Sequence, residues 1–182
     1  MHRTLLAVPV LAATLVAAAP ASAAPESSPV PVAGRWEPAP PTPPFDYPAG
    51  ARCDFPVHAE PVLDEVVQQV LESNPDGSHK WVAYKGPLIV RVTNTATGAS
   101  LDVDAGGSAV VRTRPDGSQS WFVLGPVLTT FRENGGTLPR GLYRIDGAYT
   151  LDIDANRDKQ LTMLHGTAEN LCPRLDRAAG AS

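Results

Sequence analysis

The chain has 182 residues, 43% hydrophobic and 19% charged, with 15 basic against 19 acidic residues and two cysteines. A net charge of −4 with no lysine–arginine block disfavours nucleic acid and anionic membrane as partners, since both are bound by concentrated positive charge. No C-x-x-C is present and no histidine stands at ligand spacing from either cysteine, so a thiolate metal site is not indicated.

Residues 1–23 open with His2 and Arg3, continue as an apolar run from Leu5 to Ala19, and end in Ala21-Ser22-Ala23. This is the n-region, h-region and A-x-A pattern of a secretory signal peptide, with cleavage expected after Ala23. A retained anchor is disfavoured: a span takes about 20 apolar residues, and this run is shorter and is interrupted by Pro9. Cleavage removes Arg3 and no acid, which takes the net charge to near −5. The mature protein is expected to be secreted and extracellular, with no membrane span left after signal cleavage.

Residues 25–50 hold nine prolines, which fix φ, remove amide donors and favour extended backbone. Residues 24–50 are therefore expected to be a disordered or polyproline-II linker, dispensable for folding. Trp36, Phe45 and Tyr47 read as incidental aromatics, the alternative being a docking strip.

One domain is expected over residues 51–177, with a disordered tail at 178–182. Leu88, Val90 and Val92 alternate with Ile89, Arg91 and Thr93, and Tyr149, Leu151 and Ile153 with Thr150, Asp152 and Asp154. Period two marks strands with one buried face. Further strands are expected at 55–60, 80–85, 101–104, 108–114, 118–124, 127–131, 142–145 and 161–165. Asn74-Pro75-Asp76-Gly77 and Arg114-Pro115-Asp116-Gly117 read as type I hairpin turns with a bulge, and 94–100 and 155–159 as two further turns.

Residues 62–73 fit two templates. Leu63, Val66, Val67, Val70 and Leu71 suit a helix face, whereas the valines and the turn that follows favour a strand over 65–72. Taking the strand, the fold class is all-β: an antiparallel meander of about eight strands closed as a small barrel, with a β-sandwich as the alternative. Trp81, Tyr84, Trp121, Phe122 and Tyr143 are expected to fill its interior rather than line a ligand cavity.

Cys53 and Cys172 stand near the two ends of the domain, and in a secreted chain a lone pair reads as a disulfide. Closing so long a loop contributes up to ~5 kcal/mol in the chain-entropy picture. C-D-F-P-V (53–57), G-P-L-I-V-R-V-T-N-T-A-T-G (86–98), the P-D-G hairpin (115–117) and G-T-A-E-N-L-C-P-R-L (166–175) together resemble a family of secreted actinobacterial hypothetical proteins. The resemblance spans most of residues 52–175. It implies a compact two-cysteine β domain, supports the bridge and brings no catalytic residues.

For chemistry, Asp152, Asp154, Asn156 and Asp158 place oxygens at every second position, as a calcium loop does. Arg157 replaces the turn glycine and Met163 the bidentate glutamate, so a polar hairpin turn is the expectation and calcium the weak alternative. His58 and Glu60 share a strand face as a weak acid–base candidate, and His79 and His165 have no partner at a diagnostic spacing. G-x-S-x-G, H-E-x-x-H, a phosphate loop, a dinucleotide fingerprint and a haem-attachment motif are all lacking, and no cofactor is expected. The leading expectation is a non-catalytic β domain acting through its surface, as a cell-envelope component. The alternatives are a barrel holding a small apolar ligand and a cyclase- or isomerase-like barrel enzyme.

Overall fold

The computed structural model describes residues 34–179. The expected signal peptide at 1–23 lies outside the described residues, as do residues 24–33 of the leader and 180–182 of the tail. Twelve strands and a helix follow in order: β1 Glu37–Pro38, β2 Phe45–Tyr47, β3 Val57–Asp64, β4 Val67–Ser73, β5 His79–Lys85, β6 Leu88–Asn94, β7 Ser100–Asp104, β8 Ser108–Thr113, β9 Gln119–Leu124, β10 Val127–Phe131, β11 Gly141–Ile153, β12 Lys159–Asn170 and α1 Cys172–Ala179. The chain is all-β, and the ladders between strands are antiparallel.

The strands form a larger sheet in the order β1-β4-β5-β8-β9-β11-β10, with β12 also on β11, and a smaller one in the order β2-β3-β6-β7. Neither sheet closes on itself among the described residues. The chain instead crosses between sheets at short breaks: Glu65-Val66 after β3, Gly86-Pro87 after β5 and Ala105–Gly107 after β7. The first two breaks are hydrogen-bonded to each other, Glu65 N–H donating to Pro87 O at 3.0 Å, and the third is bonded to the β9–β10 turn, Gly107 N–H donating to Pro126 O at 2.8 Å. Gly125 N–H continues the line to Gly147 O at 2.9 Å.

Glycine is required where the line crosses β11 and β12. Gly147 and Gly166 have φ of 131° and 136°, a region closed to residues with a Cβ. A Cβ on Gly147 would stand 2.0 Å from His165 O, and one on Gly166 2.0 Å from Asp146 O.

Two cores flank β10 and β11. Leu142, which is 0% exposed, packs with Val57, Ala59, Val90, Val92 and Val103 of the smaller sheet and with Leu171 and Leu175 around α1. The opposite side of the same strands presents Phe131, Tyr143 and Ile145 to Tyr149, Leu151, Ile153 and Val123 of the larger sheet. Among the described residues, the smaller sheet thus covers the larger one over β10 and the first half of β11.

The ambiguous segment is a strand: β4 pairs β1 on one side and β5 on the other. The expectation of an unstructured leader is corrected over residues 34–50. β1 pairs with β4 and β2 with β3, while Gly34 N–H donates to Val70 O and Ala39 N–H to Val66 O, both at 2.9 Å. Proline lacks the ladder donor, yet an edge strand needs only one of its two sides, so a proline-rich segment can seal a sheet edge. Its aromatics are anchors as well: Phe45 packs on the core and Tyr47 Oη lies 3.3 Å from Thr130 Oγ1. The expected tail is corrected too, since 178 and 179 belong to α1.

Candidate functional site

Cys53 and Cys172 are bridged, with Cα atoms 5.5 Å apart, inside the range a disulfide spans. Both lie at the α1 end of the core, where Asn170 Oδ1 caps the helix by accepting Cys172 N–H at 3.0 Å. Two arginines beside the bridge are engaged, although Arg52 Nε is buried without a hydrogen-bond partner. Arg140 donates to Gly50 O at 2.6 Å and to Asp54 at 2.5 Å, and the Arg52 guanidinium stacks 4.4 Å from the Tyr47 ring.

The oxygens of the expected acidic turn do not converge. Asp154 Oδ1 accepts Asp158 N–H at 2.8 Å, Asp158 accepts Arg132 Nε at 2.8 Å, and Asp152 accepts the Ser120 hydroxyl on another strand. Asn156 is exposed at the tip. Arg157 takes the glycine position with φ 71°. Among the described residues, no group of three or more His, Cys, Asp or Glu side chains is placed to hold a metal ion.

His58 and Glu60 do meet, at 3.8 Å through Nε2, but the closer partner is Asp46, whose Oδ1 lies 2.8 Å from His58 Nδ1. Asp46 belongs to β2, so sequence reading missed it by treating the leader as a linker. The hydrogen bond to Asp46 raises the His58 pKa above its ordinary 6.5. Alongside, Arg91 forms a two-pronged pair with Asp102 at 2.7 and 2.8 Å, which raises the one pKa and lowers the other. The outer face of the smaller sheet is a solvated ion-pair network. His79 and His165 are exposed on separate strands.

Lys159 was singled out by no motif. Its amine donates to Thr130 O at 2.5 Å, and burial together with Arg52, Arg157 and Arg132 pushes its pKa down to about 8.

The aromatic residues part company with expectation. Trp121, Tyr143 and Phe131 face the interior, but Trp81 and Phe122 lie on the outer face of the larger sheet, Phe122 at 47% exposure. Register explains this. Trp81 pairs with Arg112, Ala83 with Val110, and Val110 with Phe122, so these side chains share one face across β5, β8 and β9. Trp81 and Phe122 stack across β8 at 6.0 Å with 27° between their planes. Leu124 extends the patch at 66% exposure.

Cations flank the stack. The Arg112 guanidinium stands 5.6 Å from the Trp81 centroid, and Lys85 Nζ 4.1 Å from that of Trp36. Among the described residues neither forms an ion pair. No known family, curated protein or solved structure matches this chain.

Proposed function

We propose that this is a secreted, non-catalytic binding domain that works through the open outer face of its larger sheet, in the cell envelope or outside it. The observation that carries the reading is the stack of half-buried Trp81 on exposed Phe122, extended by exposed Leu124, on a face that no other element covers among the described residues. Large apolar side chains gathered on one exposed face mark interaction surfaces, whereas single exposed ones do not. Aromatic residues bring contact area at small entropic cost, which suits them to recognition.

The interior supports the same choice over a hollow ligand-binding or enzymatic barrel. Phe131, Leu142, Ile145 and Leu151 are nearly or fully inaccessible to solvent and fill the space between the strands. We take the two sheets as halves of one incompletely closed meander, filled with side chains. Secretion rests on the signal-peptide pattern of residues 1–23 and fits the Cys53–Cys172 bridge.

The test is retention on washed cell-envelope material from the source organism. Trp81→Ala combined with Phe122→Ser should abolish retention while leaving the melting temperature unchanged. Undiminished retention of that variant would rule the face out.

A further inference from the structure

We infer that the open face takes an acidic polysaccharide, with pyranose rings laid on Trp81 and Phe122 and carboxylates met by Arg112 and Lys85. This rests on the surface-binding reading above and names its partner.

Charge complementarity points to the class. The protein is net acidic, yet the charges nearest the aromatic rings are the cations Arg112 and Lys85, and neither forms an ion pair among the described residues. Two acids share the face: Glu72, opposite Trp81, is paired with Lys80 at 2.6 Å, while Asp152, two strands from Arg112, accepts the Ser120 hydroxyl and keeps its charge. An anion arriving beside Arg112 and Lys85 meets positive charge, with exposed Asp152 two strands away in the Arg112 row. Net charge and the lack of a basic stripe disfavour nucleic acid here, since that needs many cations.

Ring geometry points to the carbohydrate. Two aromatic rings stacked across a strand, with 27° between their planes, make an apolar ridge on an open sheet rather than a pocket. Sugar rings carry C–H faces that pack on aromatic faces and hydroxyl edges that reach side-chain donors and acceptors. Thr150 and Thr162 supply such groups in the row that continues from Phe122. Lys85 and Trp81 lie four residues apart on one face of β5, about 13 Å at the usual strand rise. Arg112 sits beside Trp81, so the two cations meet negative charges that recur along a chain rather than one isolated group.

The test uses the full mature protein with polygalacturonate oligomers and their fully methyl-esterified, neutral counterparts, titrated by calorimetry and tryptophan fluorescence at low salt. The acidic oligomer should bind, and the ester at least about tenfold more weakly. Lys85→Gln with Arg112→Gln should weaken acidic binding by about tenfold, and Trp81→Ala with Phe122→Ser should abolish it. Arg91→Gln, on the other sheet, should bind as the natural protein does. Equal binding of ester and acid, or no effect of the cation variants, overturns the acidic class. If the aromatic variant still loses binding in that case, the surface reading survives. Failure of both oligomers overturns the polysaccharide, and envelope retention then decides the surface reading independently. Self-association in sedimentation velocity that the aromatic variant removes would make a second copy the occupant and overturn the proposal.

Discussion

The outer faces of the two sheets follow the same strand alternation and differ in what their charges do. On the smaller sheet, His58 lies between Asp46 and Glu60, and Arg91 grips Asp102, so nearly every charge is matched within the face. On the larger sheet, Arg112 and Lys85 rest on tryptophan rings and form no ion pair among the described residues, and Phe122 and Leu124 stand in solvent. A face that satisfies itself requires only water. One that leaves cations and aromatic area unmatched holds free energy that a partner can release, and this asymmetry is why binding is assigned to the larger sheet.

The sharpest way to break the comparison is to make one chemical change on covered and uncovered surface. Leu142→Ala, in the core shared by both sheets, should cost about 3 kcal/mol, whereas Leu124→Ala on the open face should stay within about 0.5 kcal/mol. Equal losses in denaturant unfolding would mean that the open face is covered after all. Next in size is the glycine line. Gly147→Ala forces a Cβ against the His165 carbonyl and should cost about 2–3 kcal/mol. An unchanged midpoint would show that β11 and β12 do not need this crossing.

A smaller gain is expected at the third turn. Residues 74–78, 114–118 and 154–158 recur at a spacing of forty, and the same bonds close each turn. Gly77 and Gly117 occupy the left-handed position that Arg157 takes at φ 71°. Arg157→Gly should stabilise by about 0.5 kcal/mol, the relief of the Cβ clash less the entropy of glycine. A loss of stability would show that the Arg157 side chain makes a compensating contact.

The smallest effect belongs to the self-paired face. The His58 pKa is raised above 6.5 in the folded protein, mainly by Asp46. Its contribution is therefore fully present below 6.5 and is lost as pH rises through the higher folded value. The pair is solvent-exposed, so the change should be slight. It should appear as lower protection of the β2 amides, measured relative to their intrinsic exchange rate, above neutral pH, and Asp46→Asn should flatten that dependence. Persistence of the same pH dependence in Asp46→Asn would place its origin elsewhere.

Much of the architecture was legible from local pattern. Leu88–Thr93 and Tyr149–Asp154 alternate as strands do, and the Pro-Asp-Gly turns stand where hairpins reverse. Cys53 and Cys172, the only candidates for each other, are joined. The forty-residue recurrence of the turns was also in the sequence, masked at its third copy because Ala155 and Arg157 replace proline and glycine. The helix α1 was not legible: eight residues carry little periodicity, and its place is set by the bridge and by Leu175 in the core.

What the sequence by itself determined is which residues lie on opposite sides of each strand and where the chain turns, because backbone geometry imposes both over a few neighbouring residues. Tertiary structure alone decided which side would be covered. Trp121 and Phe122 are adjacent and equally apolar, yet one faces the interior and the other solvent, because the smaller sheet stops at β10 and β11 and leaves β5, β8 and β9 open. It likewise decided the fate of the prolines. An extended, donor-poor segment is a linker in isolation, and it became the sealing edge of two sheets only because β3 and β4 presented free edges for it to pair with.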